Sequence, residues 1–416
     1  MTDPDYTSLY SARVGRGRSD AIRDILAATA TPGVLSMAGG LPAPDAFPGP
    51  AVAAAVDAVL RDHASAALQY GPTEGVALMR EAGAVRATET GRAVTAENVL
   101  ITSGSQQGLS LVADVFVDEG DVVALDDPSY LGAVQTFRRA GARLLPVPCD
   151  RDGMDIDALE RMLTAGARCK LVYVVPHFHN PTGAVLHPAR RQHLARLAQR
   201  HGFLIIEDDP YADLGFDGVR HPSIDVDHPG VIRLMSLSKT LCPGFRVAFL
   251  VAAAPVVAEL AAAKQCADLQ TNTFGQYVVA QLLNTDGFLT AHLTALRSGY
   301  RRRAERLARL LRAQVPWLDF DEPRGGLFLW CTTPPDIDTT TLSRLALEGG
   351  VAIVPGAPFC VESDGTRRMR LSHATLTDTD VREAVARLAL AGRKARTAVT
   401  GRPMAFMSTS STTPVE

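Results

Sequence analysis

Between about residues 50 and 285 the sequence alternates short apolar runs with stretches of helical character, and this alternation constrains the fold more than any other feature. The runs are VLIT (99–102), VVAL (122–125), LVYVV (171–175), FLII (203–206), VIRLM (231–235) and VAFLV (247–251). Buried strands separated by helices predict an α/β domain around a mostly parallel sheet flanked by helices. Ligands of such sheets collect beyond the carboxyl ends of the strands. Polar motifs that directly follow the runs therefore carry the functional information.

The rest of the chain divides around this block. Residues 1–45 read as an N-terminal arm, with a short helix at Ser19–Ala28 followed by the Gly/Pro-rich TPGVLSMAGGLPAPDAFPGP. Residues 46–285 form the large domain. A long helical stretch from about 276 to 314 leads into a smaller α/β domain, 286–400, with GGLFLW, AIVPG, RRMRLS and the helix-like TDTDVREAVARLALAG. Residues 401–416 read as a disordered tail.

The charge balance, −3 over 416 residues, argues against a dedicated nucleic-acid binder. Hydrophobic content of 46% excludes wholesale disorder. No apolar run approaches the ~18 residues of a membrane-spanning helix, and the polar start is not a secretion signal. Six scattered cysteines without a C-x-x-C pair read as free thiols of a reducing cytoplasm.

Lysine stands at only four positions, 170, 239, 264 and 394. Lys239, in SLSKTLCPGFR, directly follows VIRLM and is flanked by Ser236, Ser238 and Thr240. A strand-end lysine can be desolvated and made nucleophilic, or it can be an ordinary loop lysine. Arg246 follows after the Pro243-Gly244 turn. Two cations side by side repel, but they suit an anion such as phosphate between them. The other three lysines sit in a strand start, an alanine-rich helix and an arginine-rich end, and are expected to have no role at a cofactor.

Four further motifs follow other strands. SGSQQG (103–108) opens a helix, whose free N–H groups and dipole favour phosphate; Ser103, Gly104, Ser105 and Gln106 would line it, although an ordinary helix cap looks the same. In EDDPY (207–211) one carboxylate needs a cation. No histidine cluster has metal-ligand spacing, so no metal is expected, and a pyridinium nitrogen is the alternative, with Asp208 as its partner and Tyr211 nearby. HNPTG (179–183) is a tight turn whose Asn180 can also donate to a ring oxygen. DDPSY (126–130) places Tyr130 to stack on a planar ring or to cap the sheet. Together the set fits a phosphate-bearing pyridine cofactor that forms an imine with lysine, which describes pyridoxal 5'-phosphate.

With these residues the sequence resembles the fold-type I aminotransferases of class I/II, in the 2-aminoadipate, kynurenine, aromatic and branched-chain group. LSMAGGLPAPDAFP, LQYGPTEG, TSGSQQGL, DDPSYLG, HNPTG, FLIIEDDPY, SLSKTLCPGFRVAF, GGLFLW and MRLSHA carry the resemblance. It implies a homodimer acting on an amino acid and a 2-oxo acid in a ping-pong reaction through a Lys239 aldimine. Asp208 would pair with the ring nitrogen. Asn180 and Tyr211 would bond the ring oxygen, and Tyr130 would stack. Ser103, Gly104, Ser105, Gln106, Ser236, Ser238 and Arg246 would hold the phosphate, with Tyr70 reaching in from the partner subunit. Arg370 would clamp the substrate carboxylate. Asn180, Arg23, Gly40 and Leu41 would also contact the substrate.

His179, before the motif asparagine, and His177 depart from the usual pattern. They could add an acid/base group near neutral pH or simply shape the pocket. His373 stands where an apolar or aromatic residue is common. Other carbanion chemistry on the same site is the alternative activity, and a regulatory domain of aminotransferase type a remote one.

Overall fold

The computed structural model describes residues 5–16, 23, 25, 27 and 31–400. The tail 401–416 and most of the expected Ser19–Ala28 helix lie outside the described residues. The main sheet has eight strands, in the order β2-β9-β8-β7-β6-β3-β4-β5. In chain order these are β2 (Val99–Thr102), β3 (Val122–Asp127), β4 (Arg143–Asp150), β5 (Gly153–Met154), β6 (Leu171–Val174), β7 (Leu204–Asp208), β8 (Val231–Ser236) and β9 (Ala248–Val251). A two-residue β1 (Leu35–Ser36) precedes them.

The apolar runs become strands because both faces of each are covered. On β6, Leu171 and Tyr173 enter one core with the helices Ser105–Phe116, Leu131–Ala140 and Ala254–Asp268, while Val172 and Val174 enter another with Ile156–Thr164 and Pro188–His201. That is the period of two expected of a strand buried on both sides. Strands β4, β3, β6, β7 and β8 run parallel, and β9 is antiparallel to both its neighbours, β2 and β8.

Two elements differ from expectation. The sequence showed no strand at 143–150, because RLLPVPCD has neither an apolar run nor clean alternation, and it contains Pro146 and Pro148. Beyond β4 lies only the two-residue β5, and such an edge-like place tolerates proline. The long helical stretch is two helices, Thr273–Leu283 and Phe288–Gln314, separated by a turn that ends at Gly287 with φ +69°. A side chain is disfavoured at that φ, whereas glycine adopts it readily.

A second sheet, all antiparallel, has the order β10 (Asp319–Phe320), β11 (Phe328–Thr332), β14 (Arg368–Ser372), β13 (Val354–Pro355). The helices Thr339–Glu348 and Asp378–Thr400 cover it. Alternation along β14 sends Met369 and Leu371 into this second core and leaves Arg370 on the other face. Strand β1 pairs in parallel with β12 (Val351–Ala352), and Met37 is buried in the same core. The end of the arm is therefore built into the C-terminal unit, and it passes the strand ends of the main sheet.

Candidate active site

The carboxyl ends of β2, β3, β6, β7 and β8 carry, in turn, Ser103–Gln106, Tyr130, Asn180, Asp208 and Lys239, and β14 supplies Arg370 from the second sheet. Lys239 donates to the carbonyl of Gly40 at 2.8 Å. Burial, then the positive charges of Arg370 and Arg246, pull its pKa down to about 8. A large fraction of the amine is thus neutral at mildly alkaline pH, when an ordinary lysine is protonated.

Asp208 is buried at the end of β7, and the Tyr173 hydroxyl donates to its Oδ2 at 2.8 Å. Burial pushes its pKa up to about 7, against the bond from Tyr173. Its Oδ1 is buried without a hydrogen-bond partner. A buried, half-satisfied carboxylate is costly, and a cationic N–H placed against Oδ1 would satisfy it. Sequence reasoning missed Tyr173, which looks like one more apolar residue of LVYVV.

The anion cradle is built from backbone. Gly104 has φ +83°, and a Cβ there would collide with the Arg246 guanidinium. Arg246 donates to the Ser103 carbonyl at 3.0 Å and itself sits at φ +53°. Ser105 opens the helix Ser105–Phe116, and its buried hydroxyl has no partner. The Ser238 N–H donates to Ser236 Oγ at 3.1 Å, which fixes the turn before Lys239. Gln106 is bonded to Thr136 at 2.8 Å, and it accepts from the Tyr130 hydroxyl at 3.3 Å. Free N–H groups, a glycine without room for a side chain, an orphaned hydroxyl and an arginine together fit a phosphate.

Arg370 is buried. Its Nη1 donates to Asn180 Oδ1 at 2.7 Å and its Nη2 to the Ala38 carbonyl at 2.6 Å. The guanidinium lies over the rings of Phe328, 4.2 Å to the centroid, and Phe359, at 5.0 Å. Burial lowers its pKa to about 10, which still leaves it charged. Tyr211 is buried edge-on to Phe328, and burial raises the pKa of its phenol. Burial also raises that of Tyr130, to about 12, with the charges of Asp208, Arg370 and Arg246 all acting on the phenol. Gly40 passes close to Phe328, and Leu41 is partly exposed beside it.

The other residues singled out in the sequence differ in burial. Tyr70 is 77% exposed. Arg23 is exposed, while Ile25 packs with the cluster of Leu131 and Phe359. His179 is buried, with Nδ1 on Thr182 Oγ1 at 2.8 Å and Nε2 3.6 Å from Asp126. Burial drives its pKa down to about 3, so it does not titrate near neutrality. His177 is paired with Asp209 at 2.8 Å. His373 is buried between Phe216 and Tyr300.

The sequence pattern of aminotransferase class I and II matches residues 43–388. The chain belongs to the aminotransferase class I and II family. This aminotransferase is 42% identical over 394 residues to the 2-aminoadipate transaminase of Thermus thermophilus, covering 93% of this chain and 97% of that one. The crystal structure of the alpha-aminoadipate aminotransferase of Thermus thermophilus, complexed with N-(5'-phosphopyridoxyl)-L-leucine, superposes with a TM-score of 0.86 at 40% identity, covering 95% and 99% of the two chains. The kynurenine aminotransferase of Pyrococcus horikoshii gives a TM-score of 0.88 at 32% identity, covering 94% and 98%. The fold is that of the fold-type I aminotransferases.

Proposed function

We propose that this pyridoxal 5'-phosphate-dependent aminotransferase moves an amino group from an amino acid to a 2-oxo acid in two half-reactions at one site, with Lys239 as the group that joins the cofactor. The observation that carries the reading is the presence, at neighbouring strand ends, of a lysine whose amine meets the Gly40 carbonyl and a buried aspartate whose Oδ1 has no partner. Bound pyridoxal phosphate supplies a protonated pyridine ring that accepts the electron pair left when a substrate Cα loses its proton.

The protein's own groups then have defined tasks. Asp208 holds the ring-nitrogen proton through Oδ1, and a cation there draws its pKa back down. Ser103, Gly104, Ser105, Gln106, Ser236, Ser238 and Arg246 hold the phosphate. Asn180 and Tyr211 would bond the ring oxygen, and Tyr130 would stack on the ring. Arg370 takes the substrate α-carboxylate as a fork, exchanging the neutral carbonyls of Asn180 and Ala38 for a charged acceptor. The Nζ of Lys239, once released, would accept the Cα proton and deliver it to the cofactor carbon on the other side of the substrate nitrogen. Gly40 and Leu41, on the segment that now holds both Arg370 and Lys239, close over the substrate, with Arg23 above it.

We also propose a homodimer in which Tyr70 serves the partner's site. Its exposure, with Leu68 at 69% and Leu269 at 47%, leaves a surface suited to a second copy. The frame for this is an arm (1–45), a large domain (46–285), a smaller domain (286–400) and a tail. No helix among the described residues is long and apolar enough to cross a membrane. The six cysteines are free thiols, in keeping with a cytoplasmic setting.

The test is a donor screen starting from 2-aminoadipate, kynurenine, aromatic amino acids and leucine, the molecules named for its relatives. Conversion of the cofactor to its pyridoxamine form, with release of the matching 2-oxo acid, supports the reading. Failure with every donor, by a protein that retains bound cofactor, ends it.

A further inference from the structure

Lys264 has a setting unlike that of an ordinary lysine in an alanine-rich helix. It is fully buried, and its Nζ lies 2.5 Å from Asp268 Oδ1, one turn on in the helix Ala254–Asp268. Asp268 is the last residue of that helix, where the helix dipole disfavours a carboxylate. The chain then reverses at once. Leu269 takes φ +64°, and the Gln270 N–H donates back to the Asp268 carbonyl at 2.7 Å. This three-residue turn is strained for a residue with a side chain.

Asp268 is used in full. Its Oδ2 accepts from Gln107 Nε2 at 2.6 Å and from Ser103 Oγ at 3.3 Å. Gln107 Oε1 in turn accepts from the Ser103 N–H at 2.7 Å. Ser103 is thereby held by its hydroxyl and its amide, while its carbonyl holds Arg246. On the far side of the turn, Gln270 accepts from the Gly71 N–H, beside Tyr70, and donates to Thr273 at 3.2 Å.

This arrangement places a carboxylate directly behind the anion cradle. Alone, it would repel a phosphate seated beside Ser103 on the start of the helix Ser105–Phe116 and Arg246, with solvent screening part of the repulsion because Asp268 is exposed. We infer that Lys264 is a positioning residue for the cofactor phosphate: its buried ammonium neutralises Asp268, so that Asp268 can fix Ser103 and Gln107 without opposing the anion. The inference rests on the phosphate site proposed above.

The test titrates apoenzyme with pyridoxal phosphate and with pyridoxal, which lacks the phosphate, and reads the ratio of the two dissociation constants. For K264M the preference for the phosphorylated form falls about tenfold, while pyridoxal affinity stays within about twofold of wild type. D268N, which removes the negative charge and leaves the lysine, does not lower the preference. K264M/D268N regains it to within about threefold of wild type. K170A, at an exposed lysine paired with Asp121, leaves both constants unchanged.

Equal losses for both ligands in K264M, a lowered preference in D268N, or no recovery in the double variant overturns the inference and leaves Lys264 a structural residue. If K264M does not fold, the D268N result decides alone. A wild-type enzyme without preference for the phosphorylated form overturns the phosphate site itself, and this inference with it.

Discussion

The Tyr173 hydroxyl donates to Asp208 Oδ2 at 2.8 Å, while Asp208 Oδ1 has no partner. The two oxygens of one buried carboxylate are thus divided between a fixed protein donor and the place where a ring nitrogen fits. The bond from Tyr173 favours the ionised carboxylate, and burial opposes it. Y173F removes the favourable part, so the pKa of Asp208 rises further. In the loaded enzyme the acid limb of kcat/KM should move up by up to about one pH unit, with cofactor affinity about tenfold weaker. A pH profile superimposable on wild type would show that Tyr173 is only a core aromatic.

Asp208 should also make the apoprotein pH-sensitive. Its pKa is 3.8 in the unfolded chain and about 7 in the folded one, so the unfolded state ionises first. The cost is absent below pH 3.8, grows as pH rises, and levels off above about 7, at a few kcal/mol. D208N escapes it. Apo D208N should therefore melt higher than apo wild type at about pH 8, and the difference should shrink toward about pH 4. Cofactor binding should be weaker in D208N throughout. A constant melting difference across pH would show that Asp208 does not titrate as the structure implies.

The parts of this site that were legible in the sequence are those set by local pattern. Apolar runs marked the parallel strands, and the residues after them marked the strand ends that converge. What was hidden depends on packing between distant segments. Tyr173 lies mid-run, and its hydroxyl meets Asp208 only because β6 pairs with β7 in register, Tyr173 opposite Ile206. Phe328 and Phe359 reach Arg370 from separate segments of the second sheet and its loop. Lys264 reads like any helix lysine until the fold buries it against Asp268. Asp127 lies in DDPSY, a motif that points to Tyr130 alone. Its carboxylate accepts from the backbone of Val361, Glu362 and Ser363, tying the end of β3 to the second sheet's loop.

Lys239 provides a second titration. With its pKa at about 8, the apoenzyme amine should react with pyridoxal at a rate that rises with pH and levels off above 8, well below the 10.5 of an ordinary lysine. Arg246 contributes to the lowering through its charge. R246Q should shift the rate profile to higher pH, and use of pyridoxal keeps phosphate binding out of the measurement. A wild-type profile still rising at about pH 10 would contradict the buried amine.

Arg370 tests geometry apart from charge. Its fork spans Asn180 and Ala38 across two aromatic rings, and a lysine offers neither two parallel donors nor a flat face. In R370K the KM for amino donors should rise on the order of a hundredfold, because a bidentate charged contact is lost. The visible spectrum of the bound cofactor should remain near wild type. A KM within a few-fold of wild type would place the carboxylate clamp elsewhere.

Tyr70 tests the dimer. The residue is exposed, on a loop fixed through Gly71 to Gln270, so its proposed phosphate contact lies in the partner's site. Y70F alone should weaken cofactor retention by about tenfold, the scale of one lost bond to a charged group. K239A alone should show no amino-group transfer. Mixed dimers behave differently: a Y70F subunit keeps its own Lys239 and receives Tyr70 from a K239A partner, so one of the two sites is wild type. Heterodimers isolated from refolded or co-expressed mixtures should then retain cofactor at that site as wild type does, and transfer at half the wild-type rate per dimer. Mixtures whose single active site loses cofactor as readily as Y70F would show that Tyr70 acts within its own subunit.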